Sequence, residues 1–426
     1  MVKEPQYSHA HLLGIFKLLL TTPSIHQTHH IYPRFLSDMF PSPSNPPKPD
    51  SEPTQRSIPA SYYRGGTSRG LLIHRSHLPP DPEKTWPLIL GRIMGSPDPF
   101  GRQLNGMGTG LSSLSKICVI SPSTHSNADV DYTFIQVGVK DGICDWAGNC
   151  GNMSSAVGPF CVDEGIVDVS SESEEASVII FNTNTNKLIR STFPVRNCET
   201  VFSGDLSIAG VAGTGAQVAL SFLDPAGSRT GKLLPTGNVA DTLDGMPASC
   251  VDAANPCVFV RAADIPLDIT GTILPYEAEA RPELWRKLEG IRQKASVAMG
   301  LSEKEGDAPE SVPKLVMVSP PAPYKTLSGQ AMSKSDVDLV VRSLSGLGFH
   351  RAVQITAALA TASAAKVEGT VVADCVTKTP VDKDSITLGH PSGTLLVNSK
   401  VDVKGNVKEA SVFRTARKLM KGEVFY

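Results

Sequence analysis

The stretch Gly148–Asn152 reads GNCGN and sets a cysteine, Cys150, in a glycine turn that opens a helix. Free backbone N–H groups and the helix dipole stabilise anions at such a place. A thiol there is expected to fall below its reference pKa of ~8.5 and to supply a thiolate. The same environment can hold a substrate carboxylate, and an inert, buried small residue is the plain alternative. Lys116 ends the turn GMGTGLSSLSK and begins the apolar run ICVIS. A lysine at the mouth of a buried strand is desolvated, loses its proton more easily and can act as a base; otherwise it is an ordinary surface charge. Ser112, Ser113 and Ser115 offer hydroxyl donors to a carboxylate, or serve only the turn. Arg64, in RGGTSRG, can bind a carboxylate with two parallel hydrogen bonds, or stand as a surface charge. His350 stands at the start of an alanine-rich helix, where it can donate to a carboxylate, move a proton or simply pack. These residue types together describe proton transfer on an anionic small molecule.

Two better-known glycine signatures do not apply. GMGTGL lacks the strand before it, the helix after it and the acidic residue downstream that a dinucleotide site needs. GxxxxGK[ST] is absent, which excludes a P-loop nucleotidase.

The elements around these residues are mostly strands and turns. Asp81, Pro82 and Gly95 bracket a helix over residues 81–95. LSKICVIS and DYTFIQVGVK read as strands, and WAGNCGNMSSAVGPF as a turn and a small-residue helix that Pro159 should kink or end. In the second half a surface helix starts near Pro282, SKSDVDLVVRSLS reads as another helix, and residues 349–369 form a helix dense in alanine. That last helix is uncharged from Ala352 to Ala365 and must be buried on every side. Each half thus holds a small-residue helix wrapped by strands, which suggests a duplication in element order.

With 426 residues, 40% hydrophobic and 19% charged, the chain supports two domains with a sizeable core. The division expected is a disordered tail and Pro-rich linker over 1–55, a first domain over 56–230 and a second over 231–426, whose C-terminal strand is free to return to the first. The tail carries five of the ten histidines. A formal charge of −2 with no basic stripe excludes nucleic acid as a partner, and no apolar run reaches the ~20 residues of a membrane span. Eight scattered cysteines without a CxxC pair suggest reduced thiols and a cytoplasmic protein. A mitochondrial presequence is the alternative, against which stand little arginine and no clear cleavage site.

RGGTSRG, GSPDPFGRQLNGMG, SSLSK and DWAGNCGN, in this order, resemble the 2-methylaconitate isomerase family and its relatives, the methylitaconate and aconitate Δ-isomerases and the oxalomesaconate tautomerases. The likeness continues through PTGNV, VDAANPCVFV, LSGLGFHRA, GHPSG and RTARKLMKGEV, and so covers residue 57 to the end. The resemblance implies an α/β diaminopimelate-epimerase-like fold: two similar domains, each a curled sheet around a central helix, with the active site in the cleft. It implies Lys116 and Cys150 as the catalytic pair and a small unsaturated tricarboxylate as substrate, isomerised with no cofactor and no metal. Arg64, Gly65, Ser112, Ser113, Asn149, Gly151, Asn152 and His350 are the residues expected to bind it, and a homodimer is compatible with the resemblance. The chain departs from the family at Arg69, where lysine is usual, and at Leu111 and Leu114, where smaller residues stand. A non-catalytic partner of an aconitase-like enzyme, or a two-cysteine racemase, are the rival readings. No second-half cysteine stands at a helix start to serve the latter.

Overall fold

The computed structural model describes residues 55–426, apart from 346–347 and 404–405. The tail expected over the N-terminal 55 residues lies, but for its last residue, outside the described residues.

Two seven-strand runs follow one plan. In the first half, strand Ser57–Gly65 makes a hairpin with Ser68–His74, which runs parallel to Lys116–Pro122. The latter pairs antiparallel with Val130–Val137, which is parallel to Glu175–Asn182. Lys187–Arg196 and Val218–Leu223 complete the series antiparallel. The second half repeats each relation: Met246–Ala253 with Asn255–Arg261, the parallel strand Lys314–Ser319, then Leu339–Ser345 and Ile386–His390. Gly393–Val401 and Val407–Arg414 end it. The chain then crosses back. Val407–Arg414 pairs with Val218–Leu223, and the last strand, Ala416–Phe425, pairs with Ser57–Gly65 at the start.

The helices fall at equivalent places. Pro82–Met94 and Pro282–Ala298 cross over between the second and third strands of each half. Parallel neighbours need such a crossover. Asp81 caps the first of these through Lys84 N, and Gly95 closes it at φ 75°, the left-handed turn glycine tolerates. The two core helices, Gly151–Asp163 and Ile355–Ala364, each lie between the fourth and fifth strands. All residues of the second are buried, as are Gly151–Val162 of the first. Both are polar enough to need an account. Ser155 and Thr361 hydroxyls each donate to a carbonyl one turn back, at 2.7 Å, and Ser154 and Ser363 do likewise at 3.2 and 2.9 Å. The hydroxyls are thereby satisfied without solvent, so small polar side chains can pack against sheet on every side. At Gly158 an added Cβ would stand 2.6 Å from the Phe193 ring, so no larger residue fits there.

Three expectations are corrected. SKSDVDLVVRSLS is a 3-10 turn, Lys334–Asp336, followed by the strand Leu339–Ser345. Every residue of that strand is buried, and its β-branched run fits a fully covered sheet position better than a surface helix. Pro159 does not end its helix, which continues to Asp163. An internal proline costs about 3 kcal/mol in isolation, and all-round burial of the helix offsets it. The alanine-rich helix is also shorter than read: Gln354 is its N-cap, and His350 stands four residues earlier.

Candidate active site

The N-termini of the two core helices meet. An added Cβ on Gly151 would lie 2.7 Å from Ile355 Cγ2, so only glycine permits the approach. Cys150 and Gln354 are the two N-caps, and neither helix is capped by a side-chain hydrogen bond. Both positive helix ends, with backbone N–H groups not taken by a capping side chain, therefore face one small cavity.

That cavity has a volume of about 50 Å³ and is lined by Lys116, Cys150, Ser112, Ser113, Asn149, Gly151, Asn152 and His350, all expected from the sequence. It is not lined by Arg64 or Gly65. Arg64 Nη1 donates to the carbonyls of Gly66 and Thr415 at 3.0 and 2.9 Å, so its guanidinium holds a turn instead of a ligand. Gly65 packs its backbone against the Asn152 carbonyl and leaves no room for a side chain. The RGGTSRG turn reaches the cavity through Ser68, whose Oγ lies 4.0 Å from Cys150 Sγ. Asn152 lines the cavity, but its amide is engaged with the same turn, accepting from Thr67 N at 3.3 Å and donating to Thr67 Oγ1 at 3.1 Å.

Lys116 begins its strand and is buried, with Nζ 2.5 Å from Gln136 Oε1 and 5.0 Å from the centre of the Phe134 ring. Gln136 is in turn fixed by donating to the Ser112 and Ser115 carbonyls at 3.1 and 3.0 Å. Both neighbours of the ammonium favour its charge. Burial opposes them and prevails, and Lys116 is held below the usual lysine range. Burial, and next the charge of Lys116, also push the His350 pKa down to about 4. The imidazole is thus neutral near pH 7. Its Nδ1 accepts from Ala352 N at 3.0 Å, which leaves the proton on Nε2 as a donor.

The second half contributes residues that sequence reasoning missed: Lys314, Ser311, Gln354 and Thr356. One signal was available, since KLVMVS at 314–319 repeats the pattern of KICVIS at 116–121. Several polar atoms here are buried without a partner: both amide atoms of Asn149, Ser311 Oγ and Gln354 Oε1. Orphaned groups of this kind are rare, and four of them lie at this one cavity. No group of three or more His, Cys, Asp or Glu among the described residues could hold a metal ion. No helix among them is long and apolar enough to cross a membrane.

The halves are stitched behind the cavity by Asn255, which is buried. Its side chain accepts from Asn149 N at 3.1 Å and donates to Asn149 O at 3.0 Å and to Thr356 Oγ1 at 3.2 Å. One amide therefore fixes the residue before Cys150 and the first turn of the opposite helix. Asn255→Ala is expected to strip two backbone groups of partners and cost about 2–6 kcal/mol of stability, at ~1–3 kcal/mol for each orphaned group. Denaturant unfolding checks this, and an unchanged midpoint would remove Asn255 from its role.

A larger cavity of about 400 Å³ adjoins the first, sharing Ser112, Ser113 and His350. Lys140, Asp141, Glu310 and Arg351 line it and make a charged approach. The inner cavity has room for about four waters at roughly 10–15 Å³ each.

A family model described as PrpF protein matches residues 55–426. The chain is 41% identical to a 3-methylitaconate isomerase of Eubacterium barkeri over 87% of this chain and 97% of the other. It is 38% identical to a 2-methyl-aconitate isomerase of Cupriavidus necator, with the same shares covered. A (4E)-oxalomesaconate Delta-isomerase of Novosphingobium sp. is 37% identical, again over 87% and 97%. Among solved structures, a methylitaconate-delta-isomerase matches with a TM-score of 0.71 at 40% identity, covering 87% of this chain and 96% of that one. Two like halves, each a curled sheet around a buried helix, with the cavity where the helices meet, are the diaminopimelate-epimerase-like architecture. On these grounds the chain is an isomerase and belongs to the PrpF protein family.

Proposed function

We propose that this enzyme is a cofactor-independent isomerase of small unsaturated tricarboxylates, of the aconitate or 2-methylaconitate type, acting by allylic proton transfer. The observation that carries this is the meeting of two helix N-termini over a cavity that also holds Lys116 and Cys150. Such a substrate has a carbon-bound proton next to a C=C and a carboxylate. Its removal spreads negative charge over the allylic carbons and onto the carboxylate. Fixed donors aimed at that charge are each worth roughly 10²–10³ in rate. Lys116, held low in pKa by burial, is the base that takes the proton. Cys150 is the second proton-transfer group or positions the intermediate. Ser112, Ser113, Asn149 and His350 hold carboxylates, and the orphaned Asn149 amide gains its missing partners. Reprotonation at the far carbon migrates the double bond, and rotation before reprotonation exchanges cis and trans.

The test is proton NMR of the enzyme in D2O with cis-aconitate, 2-methylaconitate and an oxalomesaconate, beside Lys116→Met. Conversion with deuterium uptake, absent in the variant, is the expected result. Conversion of an oxalomesaconate alone would move the substrate to the keto-acid class. No conversion and no exchange with any of these acids would overturn the assignment.

A further inference from the structure

The two halves are superposable in plan, and the plan assigns each site residue a counterpart. Lys116 is the first residue of the third strand in its half, paired in register with Gly70 of the parallel neighbour. Lys314 is the first residue of the third strand in the other half, paired with Cys257 of its parallel neighbour. Cys150 caps the first core helix, and Gln354 caps the second. The lysine is thus repeated and the thiol is not.

Both lysines line the inner cavity, with exposures of 8% and 6%. A buried lysine without a carboxylate beside it is rare and costly. Among the described residues, Lys314 Nζ has one hydrogen-bond acceptor, the Ser311 carbonyl at 3.1 Å. The other groups that act on it electrostatically are Cys257, Cys150, Lys116 and Asp145. Burial lowers its proton affinity, as it does for Lys116.

A double-bond shift removes a proton at one carbon and adds one at another two bonds away. Gln354, where a second thiol would stand, carries no transferable proton. His350 is neutral, with Nδ1 occupied by Ala352 N. We propose that Lys314 is a second proton-transfer residue, which gives a proton to one end of the allylic system after Lys116 has taken one from the other. This rests on the isomerase reading above. The C–H electron pair passes into the allylic system as the proton moves to the neutral Lys116 amine. That pair becomes the new C=C, and the displaced π pair at the distal carbon takes a proton from the Lys314 ammonium, whose N–H pair remains on nitrogen. Lys116 ends as ammonium and Lys314 as amine. Solvent water carries the proton back between them, or the reverse reaction restores both.

The experiment compares two rates in D2O on the acid that the wild-type enzyme converts by double-bond migration: exchange of the substrate's own allylic proton, and formation of product. Lys314→Met is expected to lower product formation by about 10²–10⁴-fold while substrate exchange through Lys116 stays near the wild-type rate. Lys314→Arg should not rescue product formation, because guanidinium does not release its proton in this range. Rescue by arginine would make Lys314 a carboxylate-binding charge and overturn the proposal. So would an equal fall in both rates in a variant whose melting temperature is unchanged, or no fall in either. A wild-type enzyme that neither exchanges nor converts any of these acids would instead sink the isomerase reading on which this rests.

Discussion

Lys116→Met is expected to abolish both isomerisation and exchange of the substrate's allylic proton, by about 10²–10⁴-fold, the range supplied by a positioned general base. Methionine has nearly the volume of the lysine stem and is at home in a buried strand, so the fold should survive. The loss would therefore report chemistry. Lys116→Arg separates base from charge. Arginine keeps the cation that a carboxylate would meet but does not titrate, so it should be as inactive as methionine. The pH dependence carries the same assignment. A base works unprotonated, so the rate should rise with pH as Lys116 loses its proton. Burial favours the neutral amine, which places that rise below the ordinary lysine value of 10.5. Gln136 Oε1 at 2.5 Å and the Phe134 ring oppose this by favouring the ammonium. Gln136→Leu, which removes the acceptor, should move the rise to still lower pH. A rise that stayed in place in that variant, or persisted in Lys116→Met, would assign the base elsewhere.

Much of the site was legible because its residues cluster along the chain. Ser112, Ser113 and Lys116 share one turn, and Asn149 to Asn152 share another. Local signals for helix capping and burial were strong there, and Asp81, Gly95 and Cys150 all sit at the helix ends that their types suggest. The errors arose where long-range packing decides. The helix reading of 333–345 failed because a strand covered on both faces shows no alternation, and an apolar run of that length suits either element. Arg64 was read as a carboxylate ligand by type, yet its Nη1 donates to the Gly66 carbonyl and to the Thr415 carbonyl, the latter 351 positions away. No local pattern announces that partner. Gln136 was missed for the same reason: its meeting with Lys116 depends on the register of a hairpin. Lys314 is different. Its strand repeats the pattern of the Lys116 strand, and the suspected duplication, pursued one step further, would have found it.

Cys150→Ser should separate stability from catalysis with opposite signs. Cys150 is an N-cap whose side chain makes no capping bond, and among the described residues its sulfur has one hydrogen-bond partner, Ser68 Oγ at 4.0 Å. Serine is among the preferred N-cap residues, and a capping hydroxyl contributes about 0.5–2 kcal/mol relative to an uncapped end. The variant is thus expected to melt at the same temperature as the parent or higher. A hydroxyl is a far weaker acid than a thiol and does not replace it in proton transfer. Turnover should therefore fall by about 10²-fold or more, the lower bound for loss of a general acid or base. Cys150→Ala removes the sulfur without adding a cap, and it should lose the same activity without the gain in stability. Thermal melts and NMR turnover on the same three proteins check both signs. Full activity in Cys150→Ser would remove the thiol from the chemistry and leave the two lysines as the proton carriers. Equal loss in both variants, with the more stable one no faster, would fix the role on the sulfur itself, because no unfolding or loosening of the helix could then account for the slower rate.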